Sequence, residues 1–103
     1  MNISDFVRGW FIGDFEPSVV RTKAVDVGVE HRLKGDTNPE HYHKVSTEYT
    51  VIVSGSHLIG DTIYSKGDIC VVEPFERRAY ECLKTGDIVV VKIPSGKGDK
   101  YED

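Results

Sequence analysis

Two histidines one residue apart, His41 and His43, and a glutamate shortly after them, Glu48, are the residues of this chain whose types and spacing could do chemistry. In an extended segment alternate side chains point the same way, so His41 and His43 project into one space. A turn at residues 44–46 would let Glu48, at the head of the next apolar run, join them. Two imidazoles and a carboxylate converging from one wall make a half-shell for a divalent metal. They could equally work as a general acid–base group without metal. The bland alternative is a pair of surface histidines beside a turn. The glycines that bracket the segment, Gly35 and Gly55, and the placement of Glu48 weigh against it.

From Gly35 to Gly55 the chain resembles the first motif of the cupin superfamily: Gly, five residues, His-x-His, three or four residues, Glu, six residues, Gly. Every position is met. The second cupin motif is matched only loosely. With Gly67 on its first glycine, Glu73 stands on the proline, Phe75 on a glycine, Arg78 on the histidine and Cys82 on the asparagine. A shifted alignment anchored on Pro74 would put Ala79 at the histidine position instead. The resemblance covers roughly residues 20–93 and implies an all-β double-stranded β-helix, or jelly-roll barrel. It also implies a cavity marked by His41, His43, Glu48 and Arg78, with Tyr80 on the same strand parity as Arg78. In that pattern three histidines and a glutamate hold a metal, and Arg78 takes the place of the last ligand. Arginine offers no lone pair and stays protonated. A guanidinium about 4 Å from a dication costs on the order of 8 kcal/mol at an effective dielectric near 20. The expectation is therefore that Arg78 pairs with Glu48 and no metal sits between the histidines, unless Arg78 swings out.

These residues need a scaffold, and the rest of the chain supplies an all-β one. Runs rich in Val, Ile, Thr and Tyr recur at residues 24–33, 47–53, 58–64, 69–73, 79–83 and 88–93, separated by Gly-Asp and Ser-Gly turn signals. Gly60-Asp61 suits a two-residue hairpin loop with glycine first, while residues 58–64 as a whole are expected to pair with residues 47–53. Strict alternation in residues 24–33 sends either Glu30 and Arg32 or His31 toward the cavity. His57 is expected to face solvent, and Tyr42 and Tyr49 to pack on the sheet away from the histidines. Residues 1–19 carry Phe6, Trp10, Phe11 and Phe15, either a lid on the barrel or part of a homodimer interface. The resemblance places a cupin domain at residues 20–94, and the polar tail 95–103 is expected to fray.

The 103 residues suit one domain. A net charge of −4 with scattered Lys and Arg argues against a nucleic-acid surface. No apolar run approaches the roughly 20 residues of a membrane span. Cys70 and Cys82 lie inside apolar runs and read as free buried thiols of a reducing compartment, so a cytoplasmic setting is expected. Three functions fit. One is a metal-free cavity that binds a small polar or anionic molecule, sugar-like or carboxylate, with Arg78 as the anion hook. Another is a metal-independent sugar isomerase or epimerase with His41 and His43 as catalytic bases. The third is a metallo-cupin holding iron, manganese, nickel or zinc with His41, His43 and Glu48.

Overall fold

The computed structural model describes all 103 residues and is built almost wholly of strands. Two short 3₁₀ turns, Ile3–Asp5 and Val7–Gly9, lead into β1 (Trp10–Gly13) and β2 (Val20–Arg21). They are followed by β3 (Asp26–Arg32), β4 (Thr37–His41), β5 (Thr47–Ile52), β6 (Ser56–Ile59), β7 (Thr62–Ser65), β8 (Ile69–Val72), β9 (Arg78–Lys84) and β10 (Gly86–Ile93). One sheet has the order β2-β1-β3-β10-β5-β8 and the other β4-β9-β6-β7. The all-β jelly-roll expectation is met, and each apolar run read in the sequence contains strand.

The inner face of the large sheet follows from period-two alternation. Glu48, Thr50 and Ile52 of β5 point inward beside Ile88, Val90 and Lys92 of β10, their cross-strand partners. Ile52, Ile88 and Val90 are the buried apolar centre, with Trp10 and Tyr64 packed against it. Trp10 can lie there because its β3 neighbour is Gly28, where an added Cβ would meet the indole at 2.7 Å. The N-terminal aromatics are thus used within the chain: Phe6 also packs edge-on against Phe11, ring centroids 6.5 Å apart.

Three expectations need correction. Residues 58–64 do not form one strand paired with β5. Gly60, at φ +64°, and Asp61 turn the chain into the β6–β7 hairpin, as their glycine-first chemistry suggested. That hairpin lies in the other sheet, because the chain crosses between sheets at Ser54-Gly55 and β6 pairs with β9. Nor does the tail fray after Pro94. Asp99 is buried, and Tyr101 exchanges two backbone hydrogen bonds with Tyr42, at 2.9 and 3.0 Å. His57, expected in solvent, is fully buried between the Ser54 turn and β9. Cys70 and Cys82 are free and buried, as read.

Candidate metal and ligand site

The site grows out of the end of β4. His41 closes that strand, Tyr42 turns outward onto Tyr101 and Phe75, and His43 turns back inward. The two imidazoles meet edge to face with centroids 5.4 Å apart. After the turn at residues 44–46, Glu48 enters from β5. One donor atom from each of His41, His43 and Glu48 can be chosen so that all lie within 4.8 Å of one another. The convergence that the spacing demanded is therefore present.

The hydrogen bonds decide which nitrogens are free. His43 Nδ1 faces the backbone carbonyl of Asp99, which can only accept, so Nδ1 carries the proton. His41 Nδ1 stands 3.0 Å from the Pro39 carbonyl and is fixed in the same way. Both rings thus turn Nε2 toward the shared space. His43 is 2% exposed, and its Nε2 is buried without a hydrogen-bond partner. Glu48 Oε2 lies 3.5 Å from it, beyond ordinary hydrogen-bond range but close enough for charge to act. The adjacent Glu48 carboxylate raises the His43 pKa above its ordinary value, outweighing burial, which lowers it. Burial works against the Glu48 carboxylate, yet His43, Lys92 and His41 together hold its pKa below the usual range. A buried nitrogen with no partner, aimed at a second imidazole and a carboxylate, fits a divalent metal, and the outward-held Nδ1–H groups are how metal-ligating histidines are fixed.

Arg78 departs from expectation. It begins β9 directly opposite His41 in register, the place that the Gly67 alignment gives to the absent third histidine. Its guanidinium, however, pairs with Glu76 at 2.5 Å and donates to the Arg77 carbonyl at 2.8 Å; it forms no salt bridge with Glu48. Its stem rests on Gly60, where an added Cβ would meet Arg78 Cδ at 2.7 Å. Its charge is shared with Glu76, while the side chain still lines the cavity with His41, His43 and Glu48. Phe75, at the motif's glycine position, adopts φ +69°, a conformation that favours glycine.

Two spaces meet at His41 and Glu48. Inside the barrel lies a cavity of about 60 Å³, closed by apolar residues such as Val72 and Ile88 and by Tyr80 and Arg78. Outside lies a cleft of about 660 Å³, walled by the N-terminal Phe6, Arg8 and Trp10 and by Lys92. Parity in β3 is settled: Glu30 and Arg32 face the cavity, whereas His31 pairs with Asp87 on the outside, 2.6 Å apart. Arg32 donates to Glu30 at 2.9 Å and to Asn38 at 3.0 Å, and lies over the Tyr80 ring at 4.4 Å. Tyr80 donates its hydroxyl to His57.

Lys92 and Asp99 escaped sequence reasoning as site neighbours. For Lys92 a signal existed, since a lysine sharing the parity of Ile88 and Val90 marks a charge on the inward face. For Asp99 nothing beyond a generic Gly-Lys-Gly-Asp turn was available.

No family model matches the sequence, and no curated protein does. Solved structures do. A conserved protein with a double-stranded β-helix domain from Klebsiella pneumoniae shares 20% identity over 92% of this chain and 84% of its own, with a TM-score of 0.70. An RmlC-like cupin from Shewanella frigidimarina shares 16% identity over 75% and 72%, with a TM-score of 0.67. Oxalate decarboxylase from Bacillus subtilis shares 14% identity over 78% of this chain but only 24% of its own, again with a TM-score of 0.67. At such identities the likeness is one of fold, and with the strand order above it makes this chain a small double-stranded β-helix with the cupin fold.

Proposed function

We propose that this protein binds a small polar or anionic molecule, sugar-like or carboxylate, beside a divalent metal ion held by His41, His43 and Glu48. The observation that carries the metal half is the bare Nε2 of His43. A polar nitrogen buried without a close partner costs about 1–3 kcal/mol, a cost that a bound ion would relieve. Two histidines and one carboxylate suffice for iron, manganese, nickel or zinc, and oxalate decarboxylase from Bacillus subtilis, which shares the fold, has Mn(II) centres. When bound, such an ion would supply Lewis-acid polarisation of a ligand oxygen. The metal-free readings need Arg78 as an uncompensated anion hook, and its charge is already shared with Glu76.

The anionic half rests on Lys92. Its ammonium lies 5.0 Å from the centre of the Trp10 ring, on the cleft wall, and forms no salt bridge. Arg32 cannot play this part, since Glu30 and Asn38 already engage its guanidinium; that network instead stiffens the cavity wall. An inner cavity of about 60 Å³ admits a few waters or a ligand fragment of a few heavy atoms, so larger ligands would extend into the cleft. A homodimer belongs to the proposal too. Its support lies in the outward face of the large sheet, where Ile69 and Val71 are 59% and 46% exposed.

Elemental analysis of protein purified without chelator or tag-derived nickel, followed by titration of the stripped protein with Mn²⁺, Fe²⁺, Ni²⁺ and Zn²⁺, tests the metal. One equivalent bound, and lost in Glu48→Ala, is the expected result; no binding by any of the four refutes it. Calorimetric titration of the loaded protein against small carboxylates and sugar acids tests the ligand class, with weaker binding expected in Lys92→Met. A panel without a single binder refutes the anionic reading. Sedimentation velocity reports the dimer.

A further inference from the structure

We propose that residues 95–103 form a strap belonging to the metal site, with Asp99 as the positioning residue for His43. The functional consequence rests on the metal reading above; the geometry does not.

The turn between β4 and β5 leaves three successive backbone N–H groups, of Lys44, Val45 and Ser46, without partners in either sheet. Asp99 reaches them from the far end of the chain. Its carboxylate accepts all three, at 2.9, 3.0 and 2.9 Å. Burial opposes that charge, but the Ser46, Lys44 and Val45 N–H groups outweigh it and hold the Asp99 pKa below the usual carboxylate value. Its carbonyl accepts the proton of His43 Nδ1. One residue therefore fixes the turn with its side chain and orients the imidazole with its backbone.

Anchors on both sides keep Asp99 in place. Ser46 donates its hydroxyl to the Pro94 carbonyl at 2.9 Å. Beyond Asp99, Tyr101 bridges to Tyr42, Lys44 lies over the Tyr101 ring at 4.1 Å, and the Tyr42 hydroxyl donates to Asp103 at 3.1 Å. Glu48 follows Ser46 by two residues, so the fixed turn also sets where the carboxylate enters. Without the strap, His43 would lose the one partner that decides which nitrogen is bare. Both tautomers would then be populated, and the ring would be free to tilt.

A merely structural tail would move melting temperature alone. A positioning residue also moves the His43 tautomer and the metal affinity, and outer partners of metal-bound histidines typically cost 10–100-fold when removed. The experiment uses the full chain, labelled with ¹⁵N-histidine, as wild type, Asp99→Ala and Asp99→Asn. Long-range ¹H–¹⁵N correlation of the stripped protein, at alkaline pH where the ring is neutral, reads the tautomer; Mn²⁺ titration reads affinity. Wild type should show a single Nδ1–H tautomer. Asp99→Ala keeps the carbonyl but loses the three turn contacts that hold it against His43, so it should show a mixture and bind Mn²⁺ more weakly, by up to about 10–100-fold. Asp99→Asn, which keeps one acceptor oxygen, should fall between. If Asp99→Ala keeps the pure tautomer and wild-type affinity, the proposal is overturned. Should Asp99→Ala not fold, Asp99→Asn decides on the same two readings. If wild type binds no metal, the metal reading fails by itself, and the tautomer of wild type against Asp99→Asn still decides the strap.

Discussion

Two histidines are almost completely buried in this barrel, and they are opposites. His57 lies between the Ser54 turn and Tyr80, with both nitrogens engaged: Nε2 is 2.9 Å from the Ser54 carbonyl and Nδ1 2.7 Å from the Tyr80 hydroxyl. His43 is just as deep, yet only Nδ1 has a partner. The first closes a chain of contacts through Tyr80 to Arg32, Glu30 and Asn38, every link satisfied. The second ends in an open lone pair beside His41 and Glu48. Burial alone therefore does not separate the two; on the proposed reading the unfinished hydrogen-bond inventory does.

Breaking each histidine should separate the two roles. His43→Ala should lower divalent-metal affinity on the order of 100-fold or more, because a ligand set of three loses one member. In the stripped protein it should also cost about 1–3 kcal/mol, because it empties a buried site, leaves the Asp99 carbonyl unpaired and removes the partner of Glu48. Metal titration together with denaturant unfolding checks both halves. Equal metal affinity in wild type and His43→Ala would collapse the distinction drawn here.

His57→Ala should show the converse. It leaves the Tyr80 hydroxyl and the Ser54 carbonyl unpaired and opens a cavity in the smaller sheet's interior, a combined cost of about 2–4 kcal/mol. Metal affinity should stay within about twofold of wild type. A larger loss of affinity would show that the satisfied network also holds the metal ligands in place.

How much of this contrast was legible beforehand depends on sequence distance. His41, His43 and Glu48 share a short local segment in which period-two alternation and one turn fix their directions, so spacing alone could place them. The Gly60-Asp61 hairpin was legible for the same reason, because a positive φ at its first position is a local demand. What failed was non-local. His57 was read as solvent-facing because nothing near it in sequence shows that β6 leaves β5 for the other sheet, where β9 covers it. The Arg78–Glu48 pair was expected because position in the motif was taken to decide direction, whereas the nearer Glu76 captures the guanidinium. Asp99 reaches across 56 positions to His43, and no periodicity reports such a contact.

Acidity sharpens the comparison further. In the stripped protein the His43 pKa is raised and that of Glu48 lowered, chiefly through each other. The raised histidine contributes stability that is present below its unfolded pKa of about 6.5 and is lost as pH rises through the folded value. The depressed glutamate contributes stability present above about pH 4.3 and lost as pH falls through its folded value. Stability of stripped wild type should thus gain from the pair between those limits, and His43→Ala should flatten that gain. Metal binding runs the other way at the upper limit, since the ion must displace the His43 proton. Affinity should fall by up to about tenfold per unit as pH drops below the raised His43 pKa. The same slope should survive in His57→Ala. Its disappearance there would tie the two histidines into one titrating system.

The smallest expected effect comes from trimming the closed network at a single atom. Tyr80→Phe removes the hydroxyl that donates to His57 Nδ1 but keeps the ring beneath Arg32, 4.4 Å from the guanidinium carbon. His57 Nδ1 then becomes the bare nitrogen that His43 Nε2 already is. Losing one buried hydrogen bond should cost about 1 kcal/mol, since the ring's apolar packing and its contact with the Arg32 cation are untouched. The rest of the His57 cost should then belong to the Ser54 carbonyl and the lost imidazole volume. Unfolding of the single variants and of the double variant Tyr80→Phe/His57→Ala, run as a cycle, measures the coupling directly. If the two costs add independently, the Tyr80–His57 bond contributes nothing, and the satisfied histidine owes its place to the Ser54 carbonyl and to packing.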